Sequence, residues 1–114
     1  MYANEITPTP TPTPTPTRMA LDEYTAALLA EIFSALSDPS RVRIISALTE
    51  GEMNVGKLAE MVGISESAIS HHMRGLRQMR IVRARKEGRQ VFYALEDEHI
   101  ADLYQRGLEH VLHT

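Results

Sequence analysis

Apolar residues keep a helical register over most of the chain and a strand alternation over one short stretch. Leu21, Tyr24, Leu28, Ile32, Phe33 and Leu36 recur at three- and four-residue intervals, which predicts an amphipathic first helix. Asp38-Pro39 follows, a carboxylate able to cap a helix and a proline suited to its first position. The second helix is expected from Arg41 to Leu48, with Val42, Ile45 and Leu48 on one side and Thr49-Glu50-Gly51 ending it. Asn54 can cap a third helix over Val55 to Val62, stopped by Gly63. Ser65 can cap a fourth, in which Ile69, Met73, Leu76 and Met79 keep helical spacing.

The period then changes. Val82, Ala84 and Lys86 alternate with Arg83 and Arg85, Glu87-Gly88-Arg89 supplies a turn, and Val91, Tyr93 and Leu95 alternate again. That pattern is a β-hairpin. Ile100, Leu103, Tyr104, Gly107, Leu108, Val111 and Leu112 return to helical spacing. The predicted order is α-α-α-α-β-β-α, mostly α with a hairpin wing and no internal repeat. Two short helices joined at Gly63-Ile64 and followed by a hairpin point to a winged helix-turn-helix.

Composition trims this picture at one end. Residues 7–17 read TPTPTPTPTPT, so proline fixes φ and removes a backbone donor at every second position. We expect a disordered Thr-Pro-rich arm over residues 1–18, in which the 7–17 run would span about 34 Å if fully extended as polyproline II. The DNA-binding and dimerisation domain is then expected over residues 19–114, small enough that a second copy would help complete its core. No apolar run approaches a membrane span, and no basic-then-apolar leader opens the chain. Cysteine is absent, which excludes disulfide frameworks, thiolate metal sites and cysteine nucleophiles, and agrees with a reduced cytoplasm.

The formal charge of −3 argues against nucleic acid only until its distribution is read. Residues 65–89 carry Arg74, Arg77, Arg80, Arg83, Arg85, Lys86 and Arg89 against Glu66 and Glu87, a local +5 that leaves −8 elsewhere. Phosphate neutralisation needs local positive potential rather than a basic whole protein, so double-stranded DNA is the expected partner. Ser67, Ser70, His71 and Arg74 share one face of the fourth helix, opposite its apolar stripe, and can reach base edges and phosphates. Ser65 is a cap first and a contact second. Arg85, Lys86 and Arg89 extend the candidate DNA surface along the wing, with Arg89 at its tip. His72 lies nearer the core side and reads as structural.

Asp97, His99, His110 and His113 form a D-x-H…H-x-x-H arrangement at the two ends of the last helix. His110 and His113 leave the same face one turn apart, and Asp97 can join His99 only from a capping position. Eleven residues bring His99 and His110 to nearly the same azimuth but separate them by about 16 Å along the axis. Metal–ligand bonds are about 2 Å, so a single straight helix cannot close the site. An antiparallel second copy can, giving a homodimer with two equivalent inter-subunit sites of three imidazoles and one carboxylate. Such a set favours Zn2+ or Co2+, and Ni2+ less, while the missing thiolates disfavour softer metals. Filling every position with protein ligands leaves no open water site for a zinc hydrolase, so neither an enzyme nor a small organic substrate is expected. A metal-independent winged-helix regulator is the alternative.

From Leu36 onward the chain resembles the ArsR/SmtB family of bacterial winged-helix metal-sensing repressors. The likeness rests on ALSDPSRVRIISAL, NVGKLAEMVGISESAISHHMRGL, RARKEGRQVFYAL and DEHIADLYQRGLEHVLH. It implies a cytoplasmic repressor whose metal-free dimer binds operator DNA and releases it when zinc or cobalt binds between C-terminal helices, derepressing metal export or sequestration genes. By that resemblance Asp97, His99, His110 and His113 are the inducer ligands, and Ser67, Ser70 and His71 are recognition-helix contacts. Members with a second, cysteine-containing site place a thiol where this sequence has Met53 and Asn54 in EMNVG. The resemblance further implies an allosteric link in which the second ring N–H of His110 bonds the backbone carbonyl of Arg80.

Overall fold

A computed structural model describes residues 20–113. The Thr-Pro arm expected over residues 1–18 lies outside them. Contacts divide the chain into Met1–Ala30 and Glu31–Thr114. The described part of the first unit is the opening of helix α1 (Glu23–Ala35), where Asp22 Oδ2 accepts from Thr25 N–H at 2.9 Å. Leu21, Tyr24 and Leu28 on this segment are all exposed, Tyr24 by 74%. The first amphipathic helix therefore forms as predicted, but of its own residues only Ala35 is buried.

The second unit contains α2 (Pro39–Leu48), a short strand β1 (Met53–Asn54), α3 (Val55–Val62), α4 (Glu66–Gln78), the hairpin β2 (Val82–Glu87) and β3 (Gln90–Leu95), and α5 (Glu98–Leu112). Each helix starts where a side chain can replace a missing acceptor. Asp38 Oδ1 accepts from Ser40 N–H at 2.7 Å and Arg41 N–H at 3.2 Å, with Pro39 in the first turn, so α2 begins two residues earlier than the apolar pattern alone implies. Asn54 accepts from Lys57 N–H at 2.8 Å, and Ser65 from Ala68 N–H at 3.1 Å. Gly63, at φ 80°, ends α3 in the left-handed region and makes the tight turn into α4.

The end of α4 uses the same device without glycine. Arg80 has φ 58°, its N–H bonds the Arg77 carbonyl at 3.0 Å, and Ile81 N–H bonds the Leu76 carbonyl at 2.9 Å. These two bonds form a Schellman motif, and its customary apolar pair is Leu76 against Ile81, both fully buried. The turn delivers the chain directly into β2.

The hairpin pairs Val82 with Leu95 through Glu87 with Gln90, leaving Gly88 and Arg89 as a two-residue turn. Gly88 at φ 63° supplies the first turn position. One strand was not anticipated. Met53 and Asn54 pair with Tyr93 and Phe92, making a three-stranded antiparallel sheet in the order β1-β3-β2. Two residues carry no readable periodicity, and β1 exists only because β3 offers it an edge.

The core is built where these elements meet. Ile44 and Leu48 of α2, Leu58 and Val62 of α3, and Ile69, Met73 and Leu76 of α4 are buried together with Ile81, Val82 and Tyr93. Three residues of the stripe predicted on α4 are thus internal, while the fourth, Met79, is the C-cap and only partly buried. Helix α5 contributes no buried residue; Ile100 and Tyr104 pack partly against the core, and Tyr104 donates its hydroxyl to Ser46 Oγ at 2.8 Å.

Candidate nucleic-acid interface and metal-ligand positions

Burying Ile69, Met73 and Leu76 dictates what the opposite side of α4 shows. Ser67, Ser70, His71 and Arg74 are all exposed. Ser65 caps the helix and lies 3.2 Å from Ser67, hydroxyl to hydroxyl, so its oxygen is already committed to the fold. His72 is half-buried: its Nδ1 accepts from Arg41 Nε at 3.2 Å, while Arg41 Nη1 donates to the Ala35 carbonyl at 3.3 Å. That bond ties α4 to α2 and agrees with a structural role for His72. The Arg41 guanidinium also lies against Gly75, where a Cβ would stand 2.9 Å from Nη2, so a larger residue there would have to displace it.

A polar cleft of about 430 Å³ connects this helix with the wing, lined by Asn54, Gly56, Glu66, Ser70, Arg89 and Gln90 among others. Ser70 of α4 and Arg89 of the hairpin tip therefore border one surface, though 19 positions separate them in sequence. Lys86 is exposed as well, and among the described residues no ion pair engages Arg74, Lys86 or Arg89. Arg85 differs from the other predicted contacts. Its Nε and Nη2 bond Glu52 at 3.0 and 2.8 Å, and its Nη1 lies 3.2 Å from Glu87. The Arg85 hydrogen bonds hold the Glu52 carboxyl below its ordinary range, and the same carboxylates push the guanidinium still further from deprotonation. Glu52 was not legible as a partner, because nothing local in the sequence marks it.

The candidate metal ligands fall at the two ends of α5 and are all exposed. Asp97 is the N-cap, as required for it to approach His99: its Oδ1 accepts from His99 N–H at 2.9 Å and Ile100 N–H at 3.4 Å. His99 Nδ1 stands 3.4 Å from the same oxygen. Two donors on a tetrahedral ion with bonds of about 2.0–2.1 Å sit about 3.3–3.4 Å apart, so this pair fits half of a zinc site. His110 and His113 occupy the last turn and C-cap. Among the described residues of one chain no group of three such side chains could hold a metal. No hydrogen bond joins His110 to Arg80 among the described residues. Between the ends of α5 lies an apolar groove of about 420 Å³, lined by Leu36, Val42, Ile45, Leu103, Tyr104 and Leu108 among others.

Residues 38–84, from the cap of α2 into the wing, match the model of the bacterial regulatory protein arsR family. A transcriptional repressor SmtB homolog from Synechocystis is 47% identical over 82% of this chain and 69% of its own. The chain belongs to the ArsR family. A cadmium resistance transcriptional regulatory protein CadC homolog from Staphylococcus aureus is 41% identical over 72% of this chain and 69% of its own. The homodimeric winged helix-turn-helix DNA-binding domain Mb0332 from Mycobacterium bovis superposes with a TM-score of 0.71 at 27% identity, over 82% of this chain and 94% of that one. Membership makes the chain a winged-helix regulator of transcription rather than an enzyme. No described helix is long and apolar enough to cross a membrane.

Proposed function

We propose that the protein is a homodimeric, zinc-responsive transcriptional repressor of the cytoplasm. The observation that carries this reading is α5, which bears complementary ligand pairs at opposite ends and an apolar face with no buried residue between them. Leu103 and Leu112 are 38% and 73% exposed, a poor state for a soluble helix and a natural one for a self-complementary interface. Antiparallel pairing of two such helices sets Asp97 and His99 of one protomer beside His110 and His113 of the other, twice. The homodimeric Mb0332 domain and the metal-resistance relative support assembly and metal response in turn.

In this reading Ser67, Ser70, His71 and Arg74 enter the major groove from α4, while Lys86 and Arg89 of the wing hold phosphates. Ser65 positions the start of that helix and can reach a phosphate only alongside its capping bond. Arg85, bonded to two carboxylates, is left out of the set. Bound zinc supplies a fixed charge that orders four side chains and sets the imidazole tautomers. With Nδ1 of His99 directed at Asp97, and His110 at the far end of α5, this chain's own contribution is to convert ligand ordering into a position of α5. The link from His110 to Arg80 remains part of the proposal, its receiving end being the strained residue between α4 and the wing.

The test is a zinc titration against a duplex selected by the metal-free protein from a random library. Zinc should weaken binding by about 5- to 150-fold, the usual range of allosteric coupling, and DNA should weaken zinc binding by the same factor. His110→Ala should lose the response while keeping metal-free DNA affinity. A wild-type protein that binds the duplex equally with and without zinc is instead a metal-independent regulator. Cobalt and nickel, run in the same assay, rank the metals.

A further inference from the structure

The Arg85 guanidinium reaches across the sheet. Arg85 on β2 pairs with Phe92 on the central strand β3, and Phe92 pairs in turn with Asn54 on β1, so the three form one row across all strands. The guanidinium carbon lies 4.9 Å from the centroid of the Phe92 ring. From there its fork meets both oxygens of Glu52, the residue immediately before β1, at 2.8 and 3.0 Å. Asn54 adds a second tie, donating to Gln90 Oε1 at 2.7 Å while its own oxygen caps α3. A two-residue strand has too few ladder bonds to hold itself, and this one is where the wing is joined to the first helix of the helix-turn-helix.

We propose that Arg85 is a wing-positioning residue: its fork, laid over Phe92 and bonded to Glu52, straps the wing to the strand that opens the helix-turn-helix, and the phosphate contacts fall to Lys86 and Arg89. All three guanidinium nitrogens are engaged, and moving the group to a phosphate would leave Glu52 and Glu87 unneutralised beside DNA. Strand alternation puts Lys86 on the opposite face of β2 from Arg85, and Arg89 occupies the turn, so neither takes part in the strap. The proposal rests on the DNA-binding reading above for its phosphate half only.

Glu52→Gln separates the two roles by sign. A strap predicts weaker binding to the selected duplex, by about two- to fivefold, because a loosened wing must be reordered on DNA. If Arg85 were a phosphate contact held back by Glu52, the same substitution would free it and tighten binding. Arg85→Lys keeps the charge but loses the fork, and should weaken binding as Glu52→Gln does, with the wild-type salt dependence. Lys86→Gln should instead lower the slope of log affinity against log salt by about 0.9. Tighter binding by Glu52→Gln, or wild-type binding by Arg85→Lys, overturns the assignment. Hydrogen exchange in the free protein decides the strap without DNA: amides of Met53 and Asn54 should exchange faster in both variants, and unchanged exchange overturns it. Faster exchange with no duplex bound by the wild type would keep the strap and reject the DNA-binding reading.

Discussion

Asp97 carries two roles that one pair of substitutions can separate. Its Oδ1 accepts from His99 N–H at 2.9 Å and Ile100 N–H at 3.4 Å, satisfying donors at the open end of α5. In the proposed reading the same carboxylate is a zinc ligand. Asparagine caps helices about as well as aspartate, but its neutral amide is a poor zinc ligand. In chelator, Asp97→Ala should lose about 1 kcal/mol of stability for the missing cap. Asp97→Asn should lose only about 0.3–0.5 kcal/mol, the part owed to a negative charge at a helix N-terminus. Zinc reverses the resemblance to wild type. At free zinc 100-fold above its dissociation constant the wild-type protein gains about 2.7 kcal/mol per site, and a variant should lose about 1.3 kcal/mol of that for a tenfold loss of affinity and about 2.3 kcal/mol for a hundredfold loss. The assay is urea unfolding followed by circular dichroism at one fixed protomer concentration, because a dimer's midpoint moves with concentration. Asp97→Asn as unstable as Asp97→Ala in chelator would refute the capping argument. Full zinc stabilisation of Asp97→Asn would remove Asp97 from the ligand set.

Two further outcomes concern the frame around the site. Arg80 pays the steric cost of a left-handed residue, so Arg80→Gly should raise stability by about 0.5–1 kcal/mol, and a lower urea midpoint would show that its side chain makes a contact worth more than the strain. Acid should weaken the fold in a defined direction: the Asp38 carboxyl is held below its ordinary value chiefly by the Arg41 N–H and then the Ser40 N–H, and Glu52 by the Arg85 hydrogen bonds. A lowered folded value means the stabilisation is complete above the unfolded value, about pH 4, and fades as pH falls through the folded one. Asp38→Asn should flatten the urea midpoint between pH 5 and pH 3 (about one unit either side of that value), and an unchanged slope would show that the cap does not titrate with folding.

The helices were legible because their signals are local. Asp38, Asn54 and Ser65 act on N–H groups two or three residues ahead, and Gly63 acts on its own backbone, so a window of a few positions contains both partners. The hairpin was legible for the same reason, its turn being two residues long. The left-handed turn at Arg80 was not, since arginine carries none of the usual preference for that conformation and the motif is held by Leu76 and Ile81. Strand β1 was missed as well, because its pairing partners lie 38 and 40 positions away. On the candidate DNA surface, helical periodicity correctly assigned Ser67, Ser70, His71 and Arg74 to the exposed side of α4. It assigned Arg85 by charge alone, and charge does not say which carboxylate a cation has already met.

By itself the sequence determined the order of the helices, the hairpin, the exposed side of α4 and the incompatibility of a four-ligand site with one straight helix. All of these follow from the fixed rise and period of regular backbone and from bonds between near neighbours. Tertiary structure alone decided that Met53 and Asn54 form a strand, that Arg85 crosses Phe92 to Glu52, and that Ser70 and Arg89 border one cleft. Those contacts join positions brought together by burial of a shared core, which no single stretch of the chain encodes. The pairing of Asp97 with His99 belongs to both levels: the D-x-H spacing allows it, and the capping geometry carries it out.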